Sequence, residues 1–218
     1  MMLQKTPGQR AMLDLTVLMD CSLKMAPRMQ SAREMAAMMP QEVKTLASNR
    51  GWNLSQFRAR VVPVSAGEDA WASPQSFSLL NEEGTGEYIR YLHDLQPAGE
   101  NDAAQTMEAL KAAMLQAFEP RQPGTRVRRM ILLITSAAAD DGQRDALNAH
   151  LAELADAWEG MDNRCRRLYL VAPREEPWSA VADWEDVMAS DVLWDDAPTW
   201  EDIRETIRFS LSPISGLA

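Results

Sequence analysis

"LTVLMDCSLKM", residues 15–25, decides how the chain is read. It belongs to a short apolar run, 13–20, that ends in Asp20; Ser22 follows two residues later and Lys24 two after that. A short apolar run rich in strand formers describes a buried strand. The oxygens that follow it describe a cation site, but a lysine stands where a metal loop would want another oxygen. The stretch is therefore a cation site, a broken one, or a turn without chemistry.

Working outward, Met25, Met29, Ala32, Met35, Ala36 and Met39 keep close to helical spacing, and Pro40 is expected to bend or end that helix. Strands are expected over 57–66 and 76–80, the second a candidate antiparallel edge strand, and helices over 86–95 and 101–118, the latter capped by Asn101 and Asp102. "RVRRMILLIT", 126–135, is the clearest buried strand and belongs near the sheet centre. Beyond it come a helix over 140–160, a strand over 166–173, a helix over 177–188, an edge strand over 191–195 and a closing helix over 199–211. In the helix over 177–188, Trp178, Val181, Trp184 and Met188 fall at helical spacing and predict one buried face. Strands alternating with helices imply an α/β, doubly wound, mostly parallel central sheet with helices on both faces and one antiparallel edge strand. The expected organisation is an N-terminal extension over 1–12, one domain over 13–211 and a C-terminal tail over 212–218.

Composition narrows the class. The chain has 218 residues, 46% of them hydrophobic, enough for one substantial core. No apolar run approaches the roughly 20 residues that span a bilayer, and Asp14 interrupts any signal-like apolar centre. The two cysteines form no C-x-x-C pair, which fits a reducing, cytoplasmic setting. The net charge of −10 is local: Glu175 to Glu205 holds eleven acidic residues and one basic, and the remainder balances at 21 of each sign. Nucleic acid and anionic membrane are disfavoured partners, because binding phosphates needs Lys and Arg. A protein with a basic surface is the natural complement. Trp194, Asp195, Asp196 and Trp200 form a candidate second interaction face in this stretch.

Sites in such sheets lie outside the carboxyl ends of the strands. The tips gather Asp20, Cys21, Ser22 and Lys24 from the first strand, Glu100, Asn101 and Asp102 from "LQPAGENDAAQ", and Thr135 and Ser136 from the central strand. "VLMDCSLKM" resembles the D-x-S-x-S strand end of von Willebrand factor A (vWA) domains, in particular their intracellular bacterial members. "LQPAGENDAAQTMEALKAAM" is similar to that family's second loop and following helix, and "RRMILLITSAAADDG" to its L-I-T-D segment. The resemblance covers roughly 13–211 and implies a Rossmann-like fold. It also implies a metal-ion-dependent adhesion site, onto which Asp20, Ser22 and Asp102 map as ligands of Mg²⁺ or Mn²⁺. Two positions depart: Lys24 replaces the second serine and Ser136 the last aspartate. An ammonium about 4 Å from a dication would be repelled by about 8 kcal/mol at an effective dielectric of 20.

Three arrangements are open: Lys24 held between Asp20 and Asp102 in the cation's place, Lys24 in solvent, or a divalent ion on Asp20, Ser22 and Asp102. The first is the reading adopted, with no cofactor. The implied role is a non-catalytic adaptor or scaffold with a degenerate metal site, binding another protein at this face. The rivals are a cation-dependent ligand-binding domain and a sheet-tip hydrolase using Asp20 or Cys21. Against the hydrolase, the strand end lacks D-x-D, Arg28 lies one position too far from Cys21 for C-x5-R, and "GTG" at 84–86 lacks the third glycine of a dinucleotide loop. His93 and His150 fall in expected helices, so no catalytic histidine is indicated.

Overall fold

A computed structural model describes residues 10–49, 51–65, 74–116, 118, 126–139, 144–163 and 166–194. The chain runs β1 (Arg10–Asp20), a 3-10 turn (Leu23–Met25), α1 (Met29–Asn49), β2 (Asn53–Val64), β3 (Gln75–Ser78), α2 (Glu82–Asp94) and α3 (Ala103–Leu115). It continues with β4 (Arg126–Ile134), α4 (Arg144–Glu159), β5 (Arg166–Val171), α5 (Trp178–Ala182) and β6 (Val187–Ser190). Six strands form one sheet in the order β3-β2-β1-β4-β5-β6, all parallel except the β2–β3 edge pair. This is the doubly wound, mostly parallel architecture expected from the sequence. The chain winds outward from β1 to β2 and then returns to place β4 on β1's other side, so the sheet reverses direction between the tips of β1 and β4.

Side chains alternate across β1. Leu13, Leu15, Val17 and Met19 enter a core with α1 and α2, which the methionines Met25, Met29, Met35 and Met39 help to fill. Leu18 enters a second core with α3, α4 and α5. Burial on both faces is why the central strands read as nearly unbroken apolar runs.

The basic clusters leading into β4 and β5 have a structural use. Arg129 donates to the carbonyls of Ala113 and Gln116 at the end of α3, at 2.9 Å each. Arg166 donates to the carbonyls of Trp158 and Met161 at the end of α4, and its guanidinium lies over the Trp158 ring. Cations at helix carboxyl ends satisfy orphan carbonyls and oppose the negative end of the dipole.

Several expectations need correction. β1 begins at Arg10, inside the expected N-terminal extension. The 177–188 helix stops at Ala182, and Met188 lies in β6, on the opposite core from Trp178 and Val181. The edge strand is Val187–Ser190, not 191–195, where Asp191–Trp194 form a turn. Trp158 Nε1 donates to the Glu185 carbonyl at 3.1 Å, and Asp186 adopts a left-handed φ of 69°, so tertiary contacts and a tight turn convert helical spacing into a helix-turn-strand. "GTG" lies inside α2 instead of before it. A Cβ on Gly84 would sit 2.0 Å from the Ser78 carbonyl oxygen, so this glycine allows α2 to close on β3. The expected helix over 199–211 and the tail lie outside the described residues.

Pro40 neither bends nor ends the helix at its position, since α1 continues to Asn49. Proline has no N–H for the carbonyl four residues back, that of Ala36. The hydroxyl of Tyr88, fully buried on α2, donates to that carbonyl at 2.8 Å. The same burial raises the Tyr88 phenol's pKa and keeps it protonated as a donor. Tyr88→Phe should therefore lower stability by about 1–3 kcal/mol, because a buried carbonyl loses its donor. In urea denaturation, Pro40→Ala should recover part of that loss when combined with Tyr88→Phe; strictly additive effects would show that the two residues do not share the carbonyl.

Candidate recognition site at the strand tips

Asp20 ends β1 and is fully buried. Its Oδ1 accepts the Ser22 backbone N–H at 2.9 Å. Its Oδ2 accepts from the Thr135 hydroxyl at 3.2 Å, the Ser136 N–H at 2.8 Å and the Ser136 hydroxyl at 2.9 Å. Thr135 Oγ1 in turn accepts the Ala137 N–H at 3.0 Å. Four donors from the chain itself thus surround one carboxylate, and they cross the point where the sheet reverses direction. Hydrogen bonds to an ionised acceptor are the strong kind, and they allow this charge to be buried.

By its place in the sequence, Ser136 stands for the loss of a carboxylate. The structure gives it a positive role, because both its N–H and its hydroxyl close on Asp20. Lys24 corrects the adopted reading: it is exposed and makes no ion pair with Asp20 or Asp102 among the described residues. Asp20 is fully buried beneath its four donors, and Lys24 in the 3-10 turn at 23–25 stays exposed. Asp102 caps α3, its carboxylate accepting the Gln105 N–H at 2.8 Å, as the sequence predicted of a cap. Asn101 Nδ2 donates to Thr106 Oγ1 at 2.8 Å beneath it.

The two loops meet through backbone bonds, Ala98 N–H to the Cys21 carbonyl at 2.6 Å and Leu23 N–H to the Gly99 carbonyl at 3.1 Å. Gly99 has a φ of 68°, a left-handed turn that glycine adopts without strain. The result is a tip whose floor is polar and closed and whose rim is exposed. Leu23, 62% exposed, stands beside Lys24 on that rim. Sequence reasoning passed over Leu23; an apolar residue inside a D-x-S-x-K tip was the available signal.

A hard dication needs an octahedral shell of oxygens with free lone pairs. Asp20 Oδ2 already has three donors on it, Asp102 Oδ1 caps α3, and no cluster of three His, Cys, Asp or Glu side chains occurs among the described residues. Ser22 Oγ and Asn101 Oδ1 are buried without partners, which is the one feature suited to a bound ion or water. The carboxylate oxygens of this set are thus largely committed to hydrogen bonds within the chain.

Cys21 packs in the core, its thiol pushed up to about 12 by burial first and by the Asp20 charge second. The nucleophile in cysteine chemistry is the thiolate, which such a group lacks near neutrality. Trp194 of the candidate second face packs on the core with the Arg28 guanidinium 5.5 Å from its ring centroid, so it is already engaged. Asp195, Asp196 and Trp200 lie outside the described residues. No described helix is long and apolar enough to cross a membrane.

Two measurements check this geometry. Asp20→Asn should cost about 2–4 kcal/mol in urea denaturation, since an amide turns an N–H₂ toward donors that need an acceptor. Raising a thiol from 9.0 to about 12 lowers its thiolate fraction about a thousandfold, so native Cys21 should resist iodoacetamide at pH 8 and react on unfolding. Peptide mass spectrometry reads both states; rapid native labelling would contradict the buried placement.

No family model matches the chain, and no curated protein matches it. Solved structures do match. A von Willebrand factor type A protein from Catenulispora acidiphila superposes with a TM-score of 0.53 at 14% identity, over 92% of this chain and 43% of that one. Proximal thread matrix protein 1 of the mussel byssus matches in two structures. Their TM-scores are 0.51 and 0.53 and their identities 14% and 10%, each over 94% of this chain and 48% of the other. The chain spans less than half the length of the structures it matches. Together with the strand order and the tip geometry, this likeness gives the chain the von Willebrand factor A fold.

Proposed function

We propose that the chain is a non-catalytic protein-interaction module, an adaptor or scaffold, that recognises another protein through its strand tips without using a metal. The carrying observation is the Asp20 carboxylate, buried and satisfied by Ser22, Thr135 and Ser136. Such a tip has its buried carboxylate satisfied by its own donors, and its exposed rim of Leu23, Lys24 and Asp102 supplies contact area and charge of both signs. Turnover is not part of this role: the Cys21 thiol is buried and Asp20 has no lone pair directed at solvent.

A second reading has one observation in its favour. Ser22 Oγ, at the position of the family's first metal-binding serine, is buried without a partner, which suits a cation-dependent binder.

Calorimetric titration separates the two. The native chain should give no saturable heat with Mg²⁺ or Mn²⁺. Lys24→Ser combined with Ser136→Asp should gain it, since the pair restores an oxygen and a carboxylate. Saturable native binding that vanishes in Asp20→Ala would establish the cation-dependent reading. For recognition, a photo-crosslinker at position 23 should capture a protein from the source cells that Lys24→Glu releases; hydrolysis of phosphate or acyl esters, lost in Asp20→Ala or Cys21→Ser, would make the chain an enzyme.

A further inference from the structure

A cavity of about 350 Å³ opens on the flank of the sheet, between α5 and the carboxyl halves of β5 and β6. It is separate from the Asp20 tip and shares none of its residues. Its floor is Leu170 and the fully buried Trp178, and its walls include Ala172, Ala182 and Ala189. The volume exists because the residue after β5, the end of α5 and β6 each place an alanine where a larger side chain would close the gap. Trp178 is fixed by its indole N–H, which donates to the Ala137 carbonyl, so the floor is preformed.

Charge defines the surround. Arg174, the one basic residue among those lining the cavity, is held by Asp191 through Nε–Oδ2 at 2.6 Å and Nη2–Oδ1 at 3.1 Å. This fork-to-fork pair joins the end of β5 to the residue after β6 and neutralises both charges. Four carboxylates then flank the lining residues in sequence: Glu175 and Glu176 before α5, and Asp183 and Glu185 after it. All four are exposed and make no ion pair among the described residues. Among the described residues, the local acidity seen in the sequence is therefore partly absorbed, Asp186 by Arg166 and Arg167 and Asp191 by Arg174, while Glu175, Glu176, Asp183 and Glu185 stay exposed on either side of α5 in sequence.

We propose that this cavity is a second recognition site, which takes one large apolar side chain of a partner segment whose flanking residues are basic. The volume lies toward the lower end of the roughly 300–1,000 Å³ typical of ligand pockets, which suits one anchor side chain. An anchor desolvated in a preformed pocket supplies most of an interface's affinity, and surrounding opposite charges speed encounter and reject acidic competitors. Lysines flanking the anchor meet Glu175 and Glu176 on one side and Asp183 and Glu185 on the other.

The test uses the whole chain and the peptide acetyl-Lys-Arg-Leu-Lys-Lys-amide, followed by heteronuclear NMR at low ionic strength. The expected result is saturable shifts at the Ala172, Ala182 and Ala189 methyls and the Trp178 indole. Replacing the peptide leucine by serine, or filling the cavity with Ala189→Leu, should each weaken binding about tenfold or more. Glu175→Lys with Glu176→Lys should weaken binding and flatten its salt dependence. Ala189 is exposed on an edge strand, so its variant should keep the native melting temperature; Ala182→Leu gives an independent filling. The proposal is overturned by unchanged shifts at millimolar peptide, by equal binding of the serine peptide, or by equal binding of acetyl-Ser-Ser-Leu-Ser-Ser-amide. It is also overturned if the shifts map onto a second copy of the chain. Lys24→Glu should leave the titration unchanged, so failure here is distinguishable from failure of the strand-tip reading.

Discussion

A carboxylate removed from water must be given donors or lose its charge, and Asp20 is given four of them by the loops that follow β1 and β4. This constraint shapes the whole carboxyl edge of the sheet. The Ser22 amide turns back on Oδ1 and aims the chain into the 3-10 turn, while Ser136 clamps Oδ2 from the neighbouring strand. The Ala98 and Leu23 backbone bonds then bring the second loop over the same point. A metal-binding edge holds these loops with a cation shared among oxygens. Here two hydroxyls and two backbone amides of the polypeptide close on the Asp20 carboxylate.

The opposite end of the sheet is organised by the other sign of charge. Arg129 and Arg166, near the starts of β4 and β5, answer the carbonyl ends of α3 and α4. On the α3–α4 face of β1, Asp14 takes a bidentate contact from Arg58 at 2.8 and 2.9 Å, and Phe118 lies beneath the guanidinium. A sequence rich in arginine ahead of strands looks like an anion-binding surface. In the folded chain these three arginines are bound to backbone carbonyls and a buried carboxylate, and charge free for partners lies elsewhere.

Two places show why local patterns mislead. Trp178, Val181, Trp184 and Met188 keep a 3.6-residue rhythm that a helix would share. The chain instead turns at Asp186 and gives Met188 to the sheet, because pairing β6 with β5 satisfies four residues of backbone and places Trp178 and Met188 in different cores. Pro40 is the reverse case. Its rule is local and sound, yet a tyrosine 48 positions away answers the carbonyl it leaves, and the helix continues.

The alternation of apolar runs with helical spacing was enough by itself to determine the parallel sheet, its central strands and the antiparallel edge. These follow from periodicity, which depends only on neighbours along the chain. The partners of charged groups were decided by tertiary structure alone. Whether Lys24 or Ser136 answers Asp20 depends on which loop arrives within about 3 Å, and a hydrogen bond's strength falls steeply over distances that no spacing rule resolves. The same is true of the cavity beside Trp178, since Ala172, Ala182 and Ala189 line one volume only when β5, α5 and β6 are packed together.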